Sequence, residues 1–468
     1  MGCGASSSAV APIANEEVEV AREQYFTVGK MLKLVSPDPQ TGAADVRLLS
    51  AKFLVDTAAA KRILPMRQEL EVASKLAYLP LPAVKRCLDE VATCAKTWPT
   101  KATYPGIIVV SYCWHSGKHP DPDGELLKML ARFLSWYMKQ REAVRPNAPN
   151  DCGVFLDFFS LYQGDRTPAQ EAAFVRALHS MDVWYAHAGT CVLRISKAPS
   201  TWQVAPGRQY HERGWCTFEL VCSMIAKHWA CTLDYCTFDG KSLESMVSKR
   251  MAPMHPDEFR KLIVKKNFAV AKDNLMVHKL YIKVCKGVLG AATEELDFSK
   301  KKWAADDFSS LANSLAMAQR LKGKLRLNRT AMDPAGVRAF CDGLSPKALP
   351  MLSELDLSDN QLGDEGATIL AAALQAGKLP SLAVLHITQG TKIGTKGKAA
   401  LANCMKARRP GGAAAALVGA ASSAAKQAHG TASSAAKQAH GAASSAAKQA
   451  QKQAKAVSAE ASKTLRLL

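Results

Sequence analysis

Three short apolar triplets, Leu325-Arg-Leu327, Leu355-Asp-Leu357 and Leu385-His-Ile387, return every 30 residues. The register persists outside them, with Met332 set against Leu362 and Gly336 against Gly366. A fixed period of this size constrains a fold strongly. Each repeat is one supersecondary unit that buries its apolar face only against the next copy. The alternation within each triplet is the period of a strand. Residues Gly366 to Leu374 have the apolar spacing of an amphipathic helix. Each unit therefore reads as strand, turn and helix, and the units must stack side by side. Asn360 follows its strand at a turn, where its amide can satisfy backbone groups.

The unit Leu355-Asp-Leu357-Ser-Asp-Asn360-Gln-Leu362-Gly-Asp-Glu-Gly366 resembles a leucine-rich repeat of the long, ribonuclease-inhibitor type. The resemblance implies a short stack over residues 320–408 and a surface for protein partners. Three repeats are about the minimum for a stable stack. A second repeat follows over 409–468, with a period of eleven marked by Gly419, Gly430, Gly441 and by Lys426, Lys437, Lys448. Eleven residues in three turns keep an alanine stripe almost straight along a helix. One glycine per repeat weakens that helix by about 1 kcal/mol. Two readings stay open for this Ala-rich tail: a disordered linker, or a helix lying on a membrane.

A chain of 468 residues has room for two or three domains. Its net charge of +20 suits an anionic partner. The N-terminus favours a membrane over nucleic acid. Met1-Gly-Cys-Gly-Ala-Ser6 fits the N-myristoylation pattern, with Gly2 as the acylated amine and Cys3 beside it as a palmitoylation site. Two chains anchor stably where one holds only marginally. Each Lys or Arg near an anionic bilayer adds about 1 kcal/mol of attraction. No zinc-finger or RNP-type signature points to a specific nucleic acid. No secretory signal follows Met1, so the expected location is the cytoplasmic face of a membrane. The 13 cysteines contain no Cys-x-x-Cys pair and read as small buried residues of a reducing compartment. The spacing of His228, Cys231 and Cys236 is not that of a zinc site, so no metal is expected.

Between a small-residue segment (1–15), a helical lead-in (16–103) and a basic helical connector (241–319) lies a segment, 104–240, in which strands alternate with helices. Gly106 to Cys113 is apolar and β-branched, the pattern of a central parallel strand covered on both faces. A helix is expected over Leu126–Tyr137, a strand over Cys152–Asp157 and a loop over Phe158–Thr167. A helix over Ala169–Ala188 and a strand over Thr190–Ile195 should follow. Arg213-Gly-Trp-Cys-Thr-Phe-Glu219-Leu then opens a further helix. This order predicts a doubly wound α/β sheet, with ligands collecting beyond the carboxyl ends of its strands.

Three blocks here resemble the Toll/interleukin-1 receptor (TIR) domain, and also the related fungal heterokaryon-incompatibility domain. They are Val110-Ser-Tyr-Cys-Trp114, Val154-Phe-Leu-Asp157 followed by Gly164, and Trp215-Cys-x-x-Glu219-Leu220. The sequence departs from the pattern in the long interval from Ile195 to Arg213 and at Phe218. The resemblance implies a flavodoxin-like parallel sheet, assembly into a homo-oligomer, and cleavage of NAD at the nicotinamide–ribose bond with Glu219 as the key residue. NAD would be the substrate; no cofactor is implied. Departure of nicotinamide leaves an oxocarbenium-like ribose, which a nearby carboxylate stabilises. Tyr112 or Trp114 could stack on a ring of the ligand, and the Ser111 hydroxyl could reach it. Asp157 either touches ligand or orients its loop. Glu219 equally suits a first-turn carboxylate favoured by the helix dipole and paired with Arg213. Trp114 and Trp215 equally suit the core. A non-catalytic scaffold built on the same domain is the alternative to an NAD glycohydrolase.

Overall fold

Four of the six residues in Ile107-Ile-Val-Val-Ser-Tyr112 are β-branched, and all six are buried. Such a run packs well only inside a sheet covered on both faces. The computed structural model describes residues 15–96, 104–146, 149–225, 227, 229–247, 250–387, 389–408 and 416–418. In it this strand, β2, lies at the centre of a five-stranded sheet. Its companions are β1 (Leu49–Ser50), β3 (Gly153–Phe155), β4 (Cys191–Ile195) and β5 (Thr232–Asp234). The order is β1-β3-β2-β4-β5; only β1 runs antiparallel. Chain connections from β2 therefore leave in opposite directions, toward β3 and then β4. Such a switch point opens a crevice at the carboxyl ends of the strands.

Local chemistry sets the elements around the sheet. The helix Glu125–Val144 starts after Gly124, whose φ of 74° is left-handed. The Asp121 carboxylate accepts from Leu126 N and Leu127 N, satisfying first-turn donors. The helix Pro168–Leu178 opens with Pro168 and a Thr167/Gln170 capping box. The single helix expected over Ala169–Ala188 is instead two, because the chain leaves helical geometry at Ser180 (φ −125°, ψ 15°). That break turns Met181–Ala186 inward, with all six residues buried. The second strand stops at Phe155, and Asp157 opens a helical turn, Asp157–Ser160, where a loop was expected.

The helical lead-in is built into this sheet. Beside the pairing of β1 with β3, Arg67 is fully buried and donates to the carbonyls of Ala44, Asp45 and Ser160. Its guanidinium stacks 3.7 Å over the Tyr162 ring. Tyr25 donates to buried Asp182 at 2.5 Å, and Lys283 pairs with the same carboxylate at 3.0 Å. Three distant segments are thus tied at one point.

The second sheet, wholly parallel, has the order β10-β9-β8-β7-β6. Its strands are β6 (Glu295–Asp297), β7 (Lys324–Arg326), β8 (Glu354–Asp356), β9 (Val384–His386) and β10 (Ala416–Val418). Helices Ala305–Ser314, Pro334–Gly343, Gly363–Gln375 and Thr395–Ala407 pack as successive neighbours. The stack begins about 25 residues before the expected boundary at 320. Its first unit carries Phe298 and Trp303 where later units carry Leu327 and Met332, which hides the period. Asn360 is fully buried. Its oxygen accepts from Thr330 N (2.9 Å) and Met332 N (3.0 Å), and its Nδ2 donates to Leu327 O (2.7 Å) and Leu357 O (3.0 Å). On the open strand face, charges pair across strands, Arg326 with Glu295 and Asp356 and Lys324 with Glu354, and His386 Nε2 lies 3.0 Å from Glu354 Oε2.

Arg250, buried, donates to Met224 O in the last turn of the helix Gly214–Ile225 and to Lys227 O just beyond it, and Trp303 Nε1 donates to Arg250 O at 2.8 Å. One apolar core runs from Val221 through Phe259 and Tyr281 to Trp303, Phe308 and Leu325. Among the described residues no helix is long and apolar enough to cross a membrane.

Candidate functional site

Alternation along β2 sends successive side chains to opposite faces, and at its carboxyl end this divides the work between two acids. Ser111 faces the helix Gly214–Ile225; its hydroxyl donates to Glu219 Oε2 at 2.6 Å and lies 2.6 Å from the Tyr210 hydroxyl. Tyr112 faces the turn after β3, and its hydroxyl donates to Asp157 Oδ1 at 2.9 Å. Trp114 Nε1 donates to Asp157 Oδ2 at 3.0 Å, and Phe158 N to Oδ1 at 2.7 Å.

Asp157 is thus held by three donors and fixes the Tyr112 and Trp114 rings. Burial raises its pKa, while those hydrogen bonds pull the other way. Glu219 is 4% exposed. Burial, then the Asp157 charge, push its carboxyl up to about 8; the Ser111 hydrogen bond partly offsets them. Glu219 therefore holds its proton to higher pH than an ordinary glutamate. It lies in the second turn of its helix, one turn later than expected, and makes no ion pair with Arg213 among the described residues. Ser111 is 1% exposed and is not among the residues that line the cleft; its hydroxyl supports Glu219 from behind.

In front of these groups opens a cleft of about 900 Å³. Tyr112, Trp114, Asp157, Trp215 and Glu219 line its floor; Phe174 and Leu178 form one wall. The size and mainly apolar character suit an organic ligand. Arg208, Arg213 and Lys272 add positive charge at the lining. Trp215 is half-buried and contributes to both core and cleft.

The opposite wall comes from a segment read from sequence only as basic connector. Asn267, Phe268, Val270 and Met276 line the cleft there. Asn267 N donates to Glu212 O (2.8 Å) and Gly214 N donates to Asn267 O (2.9 Å), a short parallel bridge. Trp215 Nε1 donates to Asp273 Oδ2 at 3.0 Å. Phe268 lies so close to the helix start that a Cβ at Gly214 would come within 1.9 Å of its ring. Gly214 was the one sequence signal of a close approach. It did not say what approaches.

Residues 1–14 (Gly2 and Cys3 among them), His228 and almost all of the eleven-residue repeat lie outside the described residues. Among the described residues no cluster of three His, Cys, Asp or Glu is placed to hold a metal.

Residues 348–371 match the family model described as Leucine Rich repeat. This span covers β8 and the first nine of the thirteen residues of the helix Gly363–Gln375, so the repeat assignment rests on both sequence and geometry. No curated protein matches the chain.

Proposed function

We propose that the chain is a membrane-anchored signalling protein whose TIR-like α/β unit cleaves NAD at the nicotinamide–ribose bond. The observation that carries the reading is the meeting of Glu219 and Trp114 on one cleft at the switch point of the sheet, although they lie 105 positions apart. A cationic nicotinamide ring and the oxocarbenium-like ribose formed after it both favour the ionised carboxyl. Substrate binding would therefore draw the proton off Glu219, and the carboxylate would stabilise the developing positive charge. Water adds its hydroxyl to the anomeric carbon, nicotinamide leaves neutral with the bond's electron pair, and one proton is released. Ser111 and Asp157 position the reacting acid and the indole.

Incubating the full-length protein with NAD and measuring free nicotinamide tests this. Release that Glu219→Gln abolishes supports the reading. Absence of release at high protein concentration, or release indifferent to Glu219→Gln, overturns it. The leucine-rich repeats favour a second role, protein–protein assembly, which stands alone if the chemistry fails. Anchoring rests on Gly2, Cys3 and the net charge of +20. Labelling with an alkyne myristate, lost in Gly2→Ala, is the expected result.

A further inference from the structure

A second cavity, of about 750 Å³, lies at the carboxyl end of β4, on the other side of Tyr210 from Glu219. Its lining differs from that of the cleft in one decisive respect. The cleft mixes cations with Asp157, Glu171, Glu219 and Asp273. The second cavity is lined by Arg194, Lys197, Arg208, Lys266 and His211, and by no carboxylate. Arg194 is matched by Asp234 at 2.6 Å. Lys197, Arg208 and Lys266 form no ion pair among the described residues, although Lys266 donates to the His211 carbonyl at 2.6 Å. Clustering like charges without a counterion is unfavourable unless an anion enters. The Ser200 hydroxyl adds a neutral donor, whereas those of Ser196 and Thr217 already donate to Asp234 Oδ1 and Arg213 O, and Trp202 supplies an aromatic wall.

We infer that this cavity is a binding site for a phosphate-bearing small molecule up to nucleotide size, separate from the Glu219 cleft. Guanidinium and ammonium groups are the usual partners of phosphate oxygens, with charge-assisted hydrogen bonds about twice as strong as neutral ones. The volume falls within the range of small-molecule pockets, roughly 300–1,000 Å³. The site also touches the first one. The Tyr210 ring lines this cavity, and its hydroxyl lies 2.6 Å from the Ser111 oxygen that holds Glu219. Arg208 lines both cavities.

The inference stands apart from NAD cleavage, and its test reads binding alone. Inorganic pyrophosphate is titrated into the full-length protein by calorimetry at fixed ionic strength. Saturable binding is expected, weakened at least tenfold by Lys197→Glu. Lys197 is exposed, so its reversal leaves the fold intact. Lys85→Glu, on the distant helix Leu81–Lys96, should leave affinity unchanged, and so should Lys272→Glu in the first cleft. Three outcomes overturn the assignment: no binding at millimolar pyrophosphate, equal weakening by Lys85→Glu, or loss with Lys272→Glu but not with Lys197→Glu.

Discussion

Glu219 combines almost complete burial with a carboxyl that holds its proton well above the range of an ordinary glutamate. Its carboxyl titrates near 8 in the folded chain, against an ordinary value of 4.5. The raised value means that the folded state holds a proton the unfolded state gives up. Stability from this group is fully present below about 4.5 and is lost as pH rises through 8. Glu219→Gln abolishes that dependence. The melting temperature of the variant should therefore gain on that of the parent between pH 5 and pH 9, by at most ~5 kcal/mol in free energy. Under the proposed NAD cleavage, the same proton would govern the pH dependence. If the carboxylate is the working form, kcat/KM for NAD rises with pH to a limb near 8, since this parameter reports the free enzyme. Ser111→Ala removes a donor that favours the ionised form, so it should carry the limb to still higher pH.

Single residues also decide how elements meet. Gly214 lets Phe268 seat against the start of the Glu219 helix. Gly214→Ala forces the ring aside, with an expected loss of about 2–3 kcal/mol in chemical denaturation. Phe268→Ala in the same chain should restore part of it, because the obstructing ring is gone. In the repeat stack, Asn360 serves four backbone groups of two neighbouring units. Asn360→Ala leaves them buried without partners, at a cost of about 3 kcal/mol in the same measurement. Asp359, next to it, has a φ of 56°, and Arg329 one repeat earlier has 58°. The turn geometry is thus repeated although the residue types are not.

For the whole molecule, the α/β unit is assembled from three stretches of chain. β1 closes one edge of its sheet, Arg67 ties the lead-in to the turn after β3, and the segment around Phe268 walls the cleft. A fragment limited to residues 104–240 lacks all three. It should lose the near-ultraviolet circular dichroism of fixed aromatic packing, while a fragment of residues 15–292 should keep it. Trp303 joins this unit to the repeats through Arg250. Calorimetry on Trp303→Ala should show the entire transition moved down by about 3 kcal/mol. Two separate transitions would mean that the two sheets unfold independently.

The alternating leucines, the buried run at β2 and the turn asparagine carry their structural consequence within a few neighbouring positions. The repeat stack and the central strand were therefore legible in the chain. So were Tyr112, Trp114, Asp157 and Glu219 of the cleft lining, as separate points on strand ends and one helix. Nothing local could reveal that β1 joins the sheet, since two residues have no periodicity. Phe298 and Trp303 likewise concealed the first repeat behind larger side chains. The ionisation of Glu219, the wall at Phe268 and the cavity without carboxylates depend on groups dozens to hundreds of positions apart. Only tertiary packing sets the burial and the distances between such groups, and with them the energy of a charge.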